Sequence, residues 1–292
     1  MFARILPYLL AGISVGGQYA LIAIGYTMVY GILRLINFAH GDIFTATGFF
    51  MVYCATVMPL YVSVPIIVVL TVVLGFTVER VAYKPLRQAP RMSVMISAIG
   101  ASYLLQNLMW YLTGGLAKQY PALPFISRSI TVFGASTKVV TIVTPVVTVL
   151  LVVGLVLLIN HTKIGMAMRA VSRDFSTAKL MGVKINAVIS VTFVIGSFLA
   201  AIGSMLYFSN YTTVTPTIGA MPGLKAFVAA VFGGIGSIPG AMIGAFLIGI
   251  CENLIKMLGL TEFSDAFTFA LLIVILVYRT CGLFGEKITE KV

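Results

Sequence analysis

Residues 160–186 read NHTKIGMAMRAVSRDFSTAKLMGVKIN and form the longest clearly polar segment of the chain. Apolar runs long enough to cross a membrane flank this segment on both sides. Five of its side chains are basic, and Asp174 is its one acidic residue. Because loops on the cytoplasmic side of a membrane carry an excess of Lys and Arg, we predict that the segment lies in the cytoplasm.

Two patterns overlap within this segment. Apolar residues recur at spacings of three and four, the period of one helical face. They are Ile164, Met168, Val171, Phe175, Ala178 and Met181. A second series, at intervals of four, consists mainly of small residues, which let another surface approach closely. We expect one or two short amphipathic helices that dock a cytoplasmic partner. The alternative is a solvated loop in which Gly182 caps a helix.

The composition places the 292-residue chain in a membrane. Hydrophobic residues make up 60% of it, charged residues make up 9%, and its mean hydropathy is +1.08. Soluble domains average roughly 25% charged residues. We therefore predict an all-α, polytopic helical membrane protein with a single transmembrane domain over residues 1–292. The net charge of +11 arises mostly in loops, where it sets orientation and meets lipid headgroups, so no nucleic acid partner is expected.

Eight apolar runs have the length of about 20 helical residues that a membrane span needs. They lie at 5–32, 41–58, 62–78, 93–113, 139–159, 187–208, 238–258 and 263–279. A ninth run, 224–235, is short and flanked by glycines, which indicates a half-helix or a compressed span. The prediction is thus about eight or nine membrane helices, including interrupted ones, with a cytoplasmic tail after residue 279. Run 5–32 fits one tilted span or a span plus a half-helix, so the side of the N-terminus stays open.

Glycines interrupt the apolar pattern in both halves of the chain. Gly12 and Gly16 precede a run that ends in polar residues near position 40, and Gly236, Gly240 and Gly244 form a GxxxG ridge. Interrupted apolar segments indicate a transport pathway, because unwound backbone is tolerated only where it lines a cavity or is buried. Helix packing through small residues is the alternative, and we favour it for the ridge. For 233–239 we predict a broken helix, since Pro239 lies beside several glycines.

Catalytic motifs are missing from the sequence. It contains no phosphate-binding GxxxxGK[ST] loop, no HExxH, no Cys-x-x-Cys pair and no nucleophile elbow, so we expect neither ATP hydrolysis nor another enzymatic activity on this chain. The three cysteines are scattered and predict neither a disulfide nor a metal site. The acidic residues Asp42, Glu79, Glu252, Glu262 and Asp265 fall near the ends of predicted spans. The deeper polar residues Gln18, Gln106, Asn107 and Asn253 are neutral, which suits a small solute driven by another component.

Five segments together resemble the LivH-type permeases of branched-chain amino acid ABC importers. They are YALIAIGYTMVYGILRLINFAHGD at 19–42, ERVAYKPLR at 79–87, MISAIG at 95–100, GMAMRAVSRDFSTAKLMGV at 165–183 and KAFVAAVFGGIGSIPGAMIGAFLIG at 225–249. The resemblance implies a multi-pass protein of the bacterial inner membrane that translocates leucine, isoleucine and valine. It also implies a second related permease, two cytoplasmic ATPase subunits that bind ATP and Mg²⁺, and an extracytoplasmic solute-binding protein; no cofactor is expected on this chain.

The resemblance also assigns roles to residues. The element that couples the permease to the ATPase would include Gly165, Arg169, Ala170, Asp174, Ala178 and Gly182. Arg173 departs from the pattern, because similar loops carry an acidic residue there. The translocation pathway would include Gln18, Asn37, His40, Gly41, Asp42, Gly233, Gly234, Gly236, Ser237, Pro239 and Gly240. Two alternatives stay open: a stand-alone ion-coupled secondary transporter, and a permease of the same family that carries other amino acids, urea or amides.

Overall fold

The computed structural model describes residues 2–87, 89–132, 135–279 and 282–285. Within these residues the chain forms eleven α-helices, one π-helical turn, one short 3-10 turn and four short strands. The α-helices are α1 (Phe2–Leu33), α2 (His40–Val57), α3 (Leu60–Val78), α4 (Arg91–Thr113), α5 (Val139–His161), α6 (Lys163–Arg173), α7 (Phe175–Leu180), α8 (Ile185–Asn210), α9 (Ala220–Gly233), α10 (Ile238–Met257) and α11 (Ser264–Tyr278). Cys281 and most of the predicted cytoplasmic tail lie outside the described residues.

The strands form two small antiparallel sheets. β1 (Lys118–Gln119) pairs with β4 (Thr213–Val214), and β2 (Ser129–Val132) pairs with β3 (Ala135–Lys138). Both sheets belong to connections between long helices, and α5 and α8 run from this end of the molecule to the other end, where α6 and α7 lie. We call these two ends the strand face and the α6–α7 face.

The predicted membrane helices are confirmed, with two refinements. Seven helical segments in the described residues are long and apolar enough to cross a membrane. They are Ile5–Leu33, Leu60–Tyr83, Met92–Thr113, Val139–His161, Ile185–Asn210, Ile238–Met257 and Thr261–Tyr278. The predicted run 41–58 forms α2, which is not among these seven, and 224–235 falls mostly within α9, a helix of only 14 residues. Run 5–32 is one continuous helix, so it contains no separate half-helix.

Glycines bring α1 and α10 into close contact. A Cβ atom added at Gly16 would lie 2.7 Å from the Cα of Phe246, and one at Gly12 would lie 2.9 Å from the Cα of Ile250. Packing through small residues is therefore confirmed for both glycines. The predicted ridge through Gly236 is wrong, because Gly236 precedes α10 with a φ of +100° and is not helical. Its backbone needs a conformation that glycine alone adopts readily.

Two helices begin inside the molecule instead of at a face. The ring of His40, the first residue of α2, packs against Gly25 of α1 and near Gly196 of α8, both well within their helices. α9 begins beside it, since a Cβ atom added at Gly41 would lie 2.8 Å from the carbonyl oxygen of Gly219. From this junction α2 runs to the strand face, where it contacts β1 and β4.

The second interrupted helix, α9, runs the other way. Its last residue, Gly233, lies against Gly240 in the first turn of α10. The segment 282–285 pairs with the same end of α9, because the N–H of Phe284 donates to the carbonyl of Gly233 at 3.0 Å. The predicted break at 233–239 is confirmed: α9 ends at Gly233 and α10 begins at Ile238.

Candidate functional site

A cavity of about 200 Å³ lies where α2 and α9 begin, and it is partly open at the protein surface beside the exposed residues Ala220 and Leu224. α1 contributes Tyr26 to its wall, and the segment between α1 and α2 contributes Ile36 and Phe38. The N-terminal turns of α2 and α9 and the middle of α4 complete the wall. The volume is below the roughly 300–1,000 Å³ of sites for drug-sized ligands, so the cavity fits a small solute.

One carboxylate lies in the wall of this cavity. Asp42 is only 4% exposed, and its two oxygens accept hydrogen bonds from Ser102 Oγ at 2.5 Å and from Gln106 Nε2 at 2.9 Å. Both donors are neutral, and among the described residues no basic side chain forms an ion pair with Asp42. Asp42 therefore differs from Glu79 and Glu252, the other buried carboxylates in the part of the chain that the structure describes, which have basic partners.

A much smaller gap of about 10 Å³ lies between the cavity and the turn that joins α9 to α10. Tyr26, Ile36 and Phe227 line both spaces, and Ile235 of the turn lines the gap. These side chains separate the cavity from the α9–α10 turn.

The predicted pathway residues fall into three groups. Gly41 and Asp42 line the cavity. His40 and Asn37 are buried beside it: the His40 ring packs edge-on against Tyr26, and Asn37 accepts a hydrogen bond from Tyr83. The third group lies outside the cavity wall. It consists of Gln18, buried within α1, and the turn residues Gly233, Gly234, Gly236, Ser237, Pro239 and Gly240.

Residues of the α9–α10 turn have local structural roles. Ser237 caps α10 by accepting a hydrogen bond from the N–H of Gly240 at 3.2 Å, and Pro239 lies in the first turn, where its missing N–H costs nothing. Gly234 has a φ of +106°, in the region that side-chain-bearing residues rarely adopt. The cap and the backbone angles of this turn therefore keep α9 and α10 as two separate helices.

A cluster of four charges was missed by the sequence analysis. Lys225 Nζ of α9 lies 3.0 Å from Glu252 Oε1 of α10 and 2.6 Å from Asp265 Oδ1 of α11, while Lys256 Nζ lies 2.6 Å from Glu252 Oε1. Tyr19 of α1 donates a hydrogen bond to Glu252 at 3.0 Å. The sequence alone places Glu252 near the end of a predicted membrane span. Its spacing of four from Lys256 was the available signal for a paired, buried role.

A second cluster joins the α6–α7 face to the segment before α2. The chain after α3 forms a π-helical turn, Glu79–Tyr83, in which Glu79 is fully buried. Glu79 pairs with Arg87 and accepts a hydrogen bond from Ser190 of α8 at 2.9 Å. The hydroxyl of Tyr83, at the other end of the turn, donates to Asn37 Oδ1 at 2.9 Å. Such turns re-aim side chains and are frequent at functional sites.

The predicted amphipathic segment forms two helices, α6 and α7. Gly165 and Ala178 are buried, and a Cβ atom at Gly165 would collide with the backbone of Ile159 in α5. The small size of Gly165 thus serves contacts within the chain. The other four predicted coupling residues are exposed: Arg169, Ala170, Asp174 and Gly182. Gly182 has a φ of +80° and follows α7, so its predicted capping role is confirmed.

Exposed apolar side chains surround these helices. Leu180 is 87% exposed and Met181 is 80% exposed. Ile164 and Met166 of α6 are also exposed. The basic residues Arg169 and Lys179 are exposed on the same two helices. The α6–α7 face therefore presents a mixed apolar and basic surface.

Asp174 joins α6 to α7 as the N-cap of α7. It accepts hydrogen bonds from the hydroxyl of Thr177 and from the N–H and hydroxyl of Ser176, at 2.9 and 2.7 Å for the latter two. The bonds from Thr177 and Ser176 lower the pKa of Asp174 to about 2. Because this folded-state pKa is below the ordinary value, the cap is intact at neutral pH and is lost only as the pH falls towards 2.

Asp174→Ala is expected to fray α7, because the first N–H groups of the helix lose their acceptor. Amide hydrogen exchange at residues 176–178 should become faster in the purified protein. Asp174→Asn is the matched control, since asparagine caps helices about as well as aspartate. Equal exchange in the Ala and Asn variants would contradict the capping role.

A polytopic helical protein whose two interrupted helices meet at a cavity between membrane-spanning helices has the architecture of a membrane transport protein. Comparison with known proteins identifies the family. Residues 8–276 match the family model described as branched-chain amino acid transport system / permease component. The chain belongs to this family, which confirms the resemblance to LivH-type permeases.

Individual relatives agree with this assignment. The chain is 40% identical to the high-affinity branched-chain amino acid transport system permease protein LivH of Salmonella typhimurium, over 100% of this chain and 99% of the relative. It is 39% identical to the corresponding protein BraD of Pseudomonas aeruginosa, over 98% of each chain. In structure it is similar to a metal-chelate type ABC transporter in an inward-facing conformation, with a TM-score of 0.51 and 18% identity over 95% of this chain and 88% of the other. That likeness concerns the fold alone.

Proposed function

We propose that this chain is the membrane-spanning permease subunit of an ATP-driven importer of leucine, isoleucine and valine in the bacterial inner membrane. The observation that carries the proposal is the full-length similarity to permeases of branched-chain amino acid transport systems. A small cavity with an apolar wall inside the helical bundle supports it. The chain has no catalytic role in this proposal, because ATP and Mg²⁺ bind partner subunits.

The α6–α7 face is the docking surface for the ATPase subunits in this proposal. Its exposed Leu180 and Met181 offer apolar contacts outside the apolar spans, and exposed apolar groups of this kind mark interaction surfaces. α6 is held rigidly against α5 by the close approach of Gly165 to Ile159. A movement of α6 and α7 that is driven by the ATPase subunits would therefore be transmitted directly to the long helices α5 and α8.

The remaining partners follow from this orientation. With α6 and α7 in the cytoplasm, the strand face is extracytoplasmic and receives the solute-binding protein, while a second related permease packs beside the helices. The π-helical turn links Ser190 of α8 to Asn37 beside the cavity. Alternating access would then move the side chains that separate the cavity from the α9–α10 turn, among them Tyr26 and Phe227.

Leu180→Asp is expected to abolish ATP-dependent uptake of leucine, because a carboxylate replaces an apolar contact in the ATPase interface. The measurement is retention of the ATPase subunits when the importer is extracted in mild detergent, together with uptake in proteoliposomes. Leu258→Asp is the matched control: Leu258 is also strongly exposed, at 70%, but it follows α10 at its far end from the α9–α10 turn. Only Leu180→Asp should release the ATPase.

Three results would contradict the proposal in whole or in part. Normal ATPase retention and uptake in the Leu180→Asp importer would remove the docking role of α7. Uptake by the chain without ATPase subunits, driven by a proton or sodium gradient, would instead identify an ion-coupled secondary transporter. Normal ATP-driven uptake of another amino acid, urea or an amide, with no uptake of leucine, would retain the importer and change its substrate.

A further inference from the structure

The cavity contains an ionisable group with an incomplete set of partners. Asp42 is buried, lines the cavity and has only the neutral donors Ser102 and Gln106. A buried carboxylate is costly unless a cation or several hydrogen bonds compensate for its lost hydration. Asp42 forms no ion pair in the described residues. By contrast, Glu79, Glu252 and Asp265 each pair with at least one basic side chain. A cationic group of a solute would give Asp42 the partner that the protein itself does not supply.

The part of the cavity wall that α9 forms beside Asp42 carries partial positive charge, opposite to the charge of the carboxylate. α9 begins at this wall through Gly219, Ala220 and Gly223. The first N–H groups of a helix have no acceptor within the helix and carry partial positive charge, which favours an anionic group. Among the described residues that line the cavity at this end of α9, the N–H group of Gly219 has no backbone acceptor, whereas those of Ala220 and Gly223 donate to Thr217 and Gly219. The glycines Gly41, Gly219 and Gly223 hold this end of α9 directly against the first turn of α2, so the end of the helix lies beside Asp42.

The rest of the wall is largely apolar, with the hydroxyl of Tyr26 near Gly223 as a further polar group. Ile36 and Phe38 come from the segment before α2, and Leu224 and Phe227 from α9. Such side chains bind an aliphatic group and give no hydrogen bonds to the hydroxyl groups of a sugar. The two neutral polar side chains next to Asp42 are already bonded to it. The cavity thus combines one anionic point, one helix N-terminus and an apolar wall within about 200 Å³.

We propose that this cavity holds a zwitterionic aliphatic amino acid during transport, with its ammonium on Asp42, its carboxylate at the N-terminal turn of α9 and its side chain against Ile36, Phe38 and Phe227. The inference rests on the proposed function and adds to it that the permease itself recognises both charges of its substrate. It also separates the roles of the two interrupted helices: α2 supplies the carboxylate, and α9 supplies the N–H of Gly219 and the positive end of its helix dipole.

The test uses the intact importer in lipid nanodiscs without the solute-binding protein, so that any selectivity belongs to the membrane complex. Equilibrium binding is measured for L-leucine and for 4-methylpentanoate, which has the same carbon skeleton without the ammonium. Wild-type protein should prefer leucine. Asp42→Asn should weaken leucine binding by about 10-fold or more, the effect of losing a charged hydrogen-bonding partner, and leave 4-methylpentanoate unaffected or more tightly bound. Equal effects on both ligands, or no effect on either, would overturn the inference.

Two further variants keep the result interpretable. Asn107→Ala is the matched control, because Asn107 is exposed, donates to the carbonyl of Tyr103 in its own helix and is next to Gln106 in sequence. It should bind both ligands as the wild type does. Leu224→Trp fills the apolar wall without touching the charge and should abolish binding of both ligands, which decides the location of the site if Asp42→Asn fails to assemble. Leucine binding that survives Leu224→Trp would place the site elsewhere.

ATP-driven leucine uptake by the wild-type importer is measured with its solute-binding protein. This measurement distinguishes a failure of the cavity site from a failure of the proposed function. If the wild type takes up leucine while Asp42→Asn keeps the full preference for leucine, the proposed function stands and the cavity site is wrong. If the wild type takes up no branched-chain amino acid, the proposed function fails and the cavity site fails with it.

Discussion

Lys225→Met is expected to lower the free energy of unfolding by about 3–5 kcal/mol, the usual cost of removing one member of a buried ion pair. The Lys225 side chain is 7% exposed and the Glu252 side chain is 3% exposed. Without the ammonium, Asp265 loses its basic partner, and Glu252 keeps Lys256 and the hydrogen bond from the Tyr19 hydroxyl. Thermal unfolding of the purified protein in detergent, followed by intrinsic fluorescence, measures the change. The same cluster joins α9, α10 and α11, so the loss should also loosen the interrupted helix.

Lys256→Met is the matched control for this prediction. Its side chain is 27% exposed, so water compensates part of the lost interaction and the loss of stability should be smaller than for Lys225→Met. A second variant, Lys225→Met with Glu252→Gln, should recover part of the lost stability, because the uncompensated charge is removed together with its partner. Small and equal effects of Lys225→Met and Lys256→Met would show that the cluster is not a buried network.

Gly16→Leu is expected to cost about 3 kcal/mol or more, at the upper end of what overpacking costs. The nearest atoms to an added Cβ are the Cα of Phe246 at 2.7 Å and the carbonyl oxygen of Ala245 at 3.0 Å. Both belong to the backbone of α10, so no side-chain rotation relieves the clash and the two helices must separate. The yield of folded protein and the midpoint of thermal unfolding report the effect.

Gly154→Leu provides the comparison within another membrane-spanning helix, α5. Nothing lies within 4 Å of a Cβ atom added at Gly154 of α5. Leucine is also a better helix former than glycine, by about 1 kcal/mol or slightly less. This variant should therefore be at least as stable as the wild type. Equal destabilisation by both leucines would mean that backbone propensity, and not the contact between α1 and α10, decides the outcome.

The positions of the membrane helices were predictable because hydropathy over about 20 residues reports burial in lipid directly. The break before α10 was also predictable, since glycines beside Pro239 are unfavourable in a continuous helix. The π-helical turn at Glu79–Tyr83 was not predictable, because it has no residue signature and depends on the contacts of Tyr83 and Glu79 with distant segments. The ridge through Gly236 failed because spacing alone does not reveal where a helix begins.

The candidate site was predictable in part. Gly41 and Asp42 were identified through the resemblance, and Gln106 was noted as a deep polar residue; all three line the cavity. Ser102 and the first turn of α9 were missed, because their proximity depends on how α4 and α9 pack against α2. Gln18 was expected in the pathway but is buried elsewhere in α1. The role of the α6–α7 residues in coupling stays a prediction, although the helices themselves are confirmed.

The opposed directions of the two interrupted helices determine how the cavity is sealed. α2 extends from the cavity to the strand face, and α9 extends from the cavity to the α9–α10 turn. The barrier on each side is therefore built from a different stretch of sequence. A substitution that weakens one barrier leaves the other standing, so a single faulty helix does not turn the protein into an open leak.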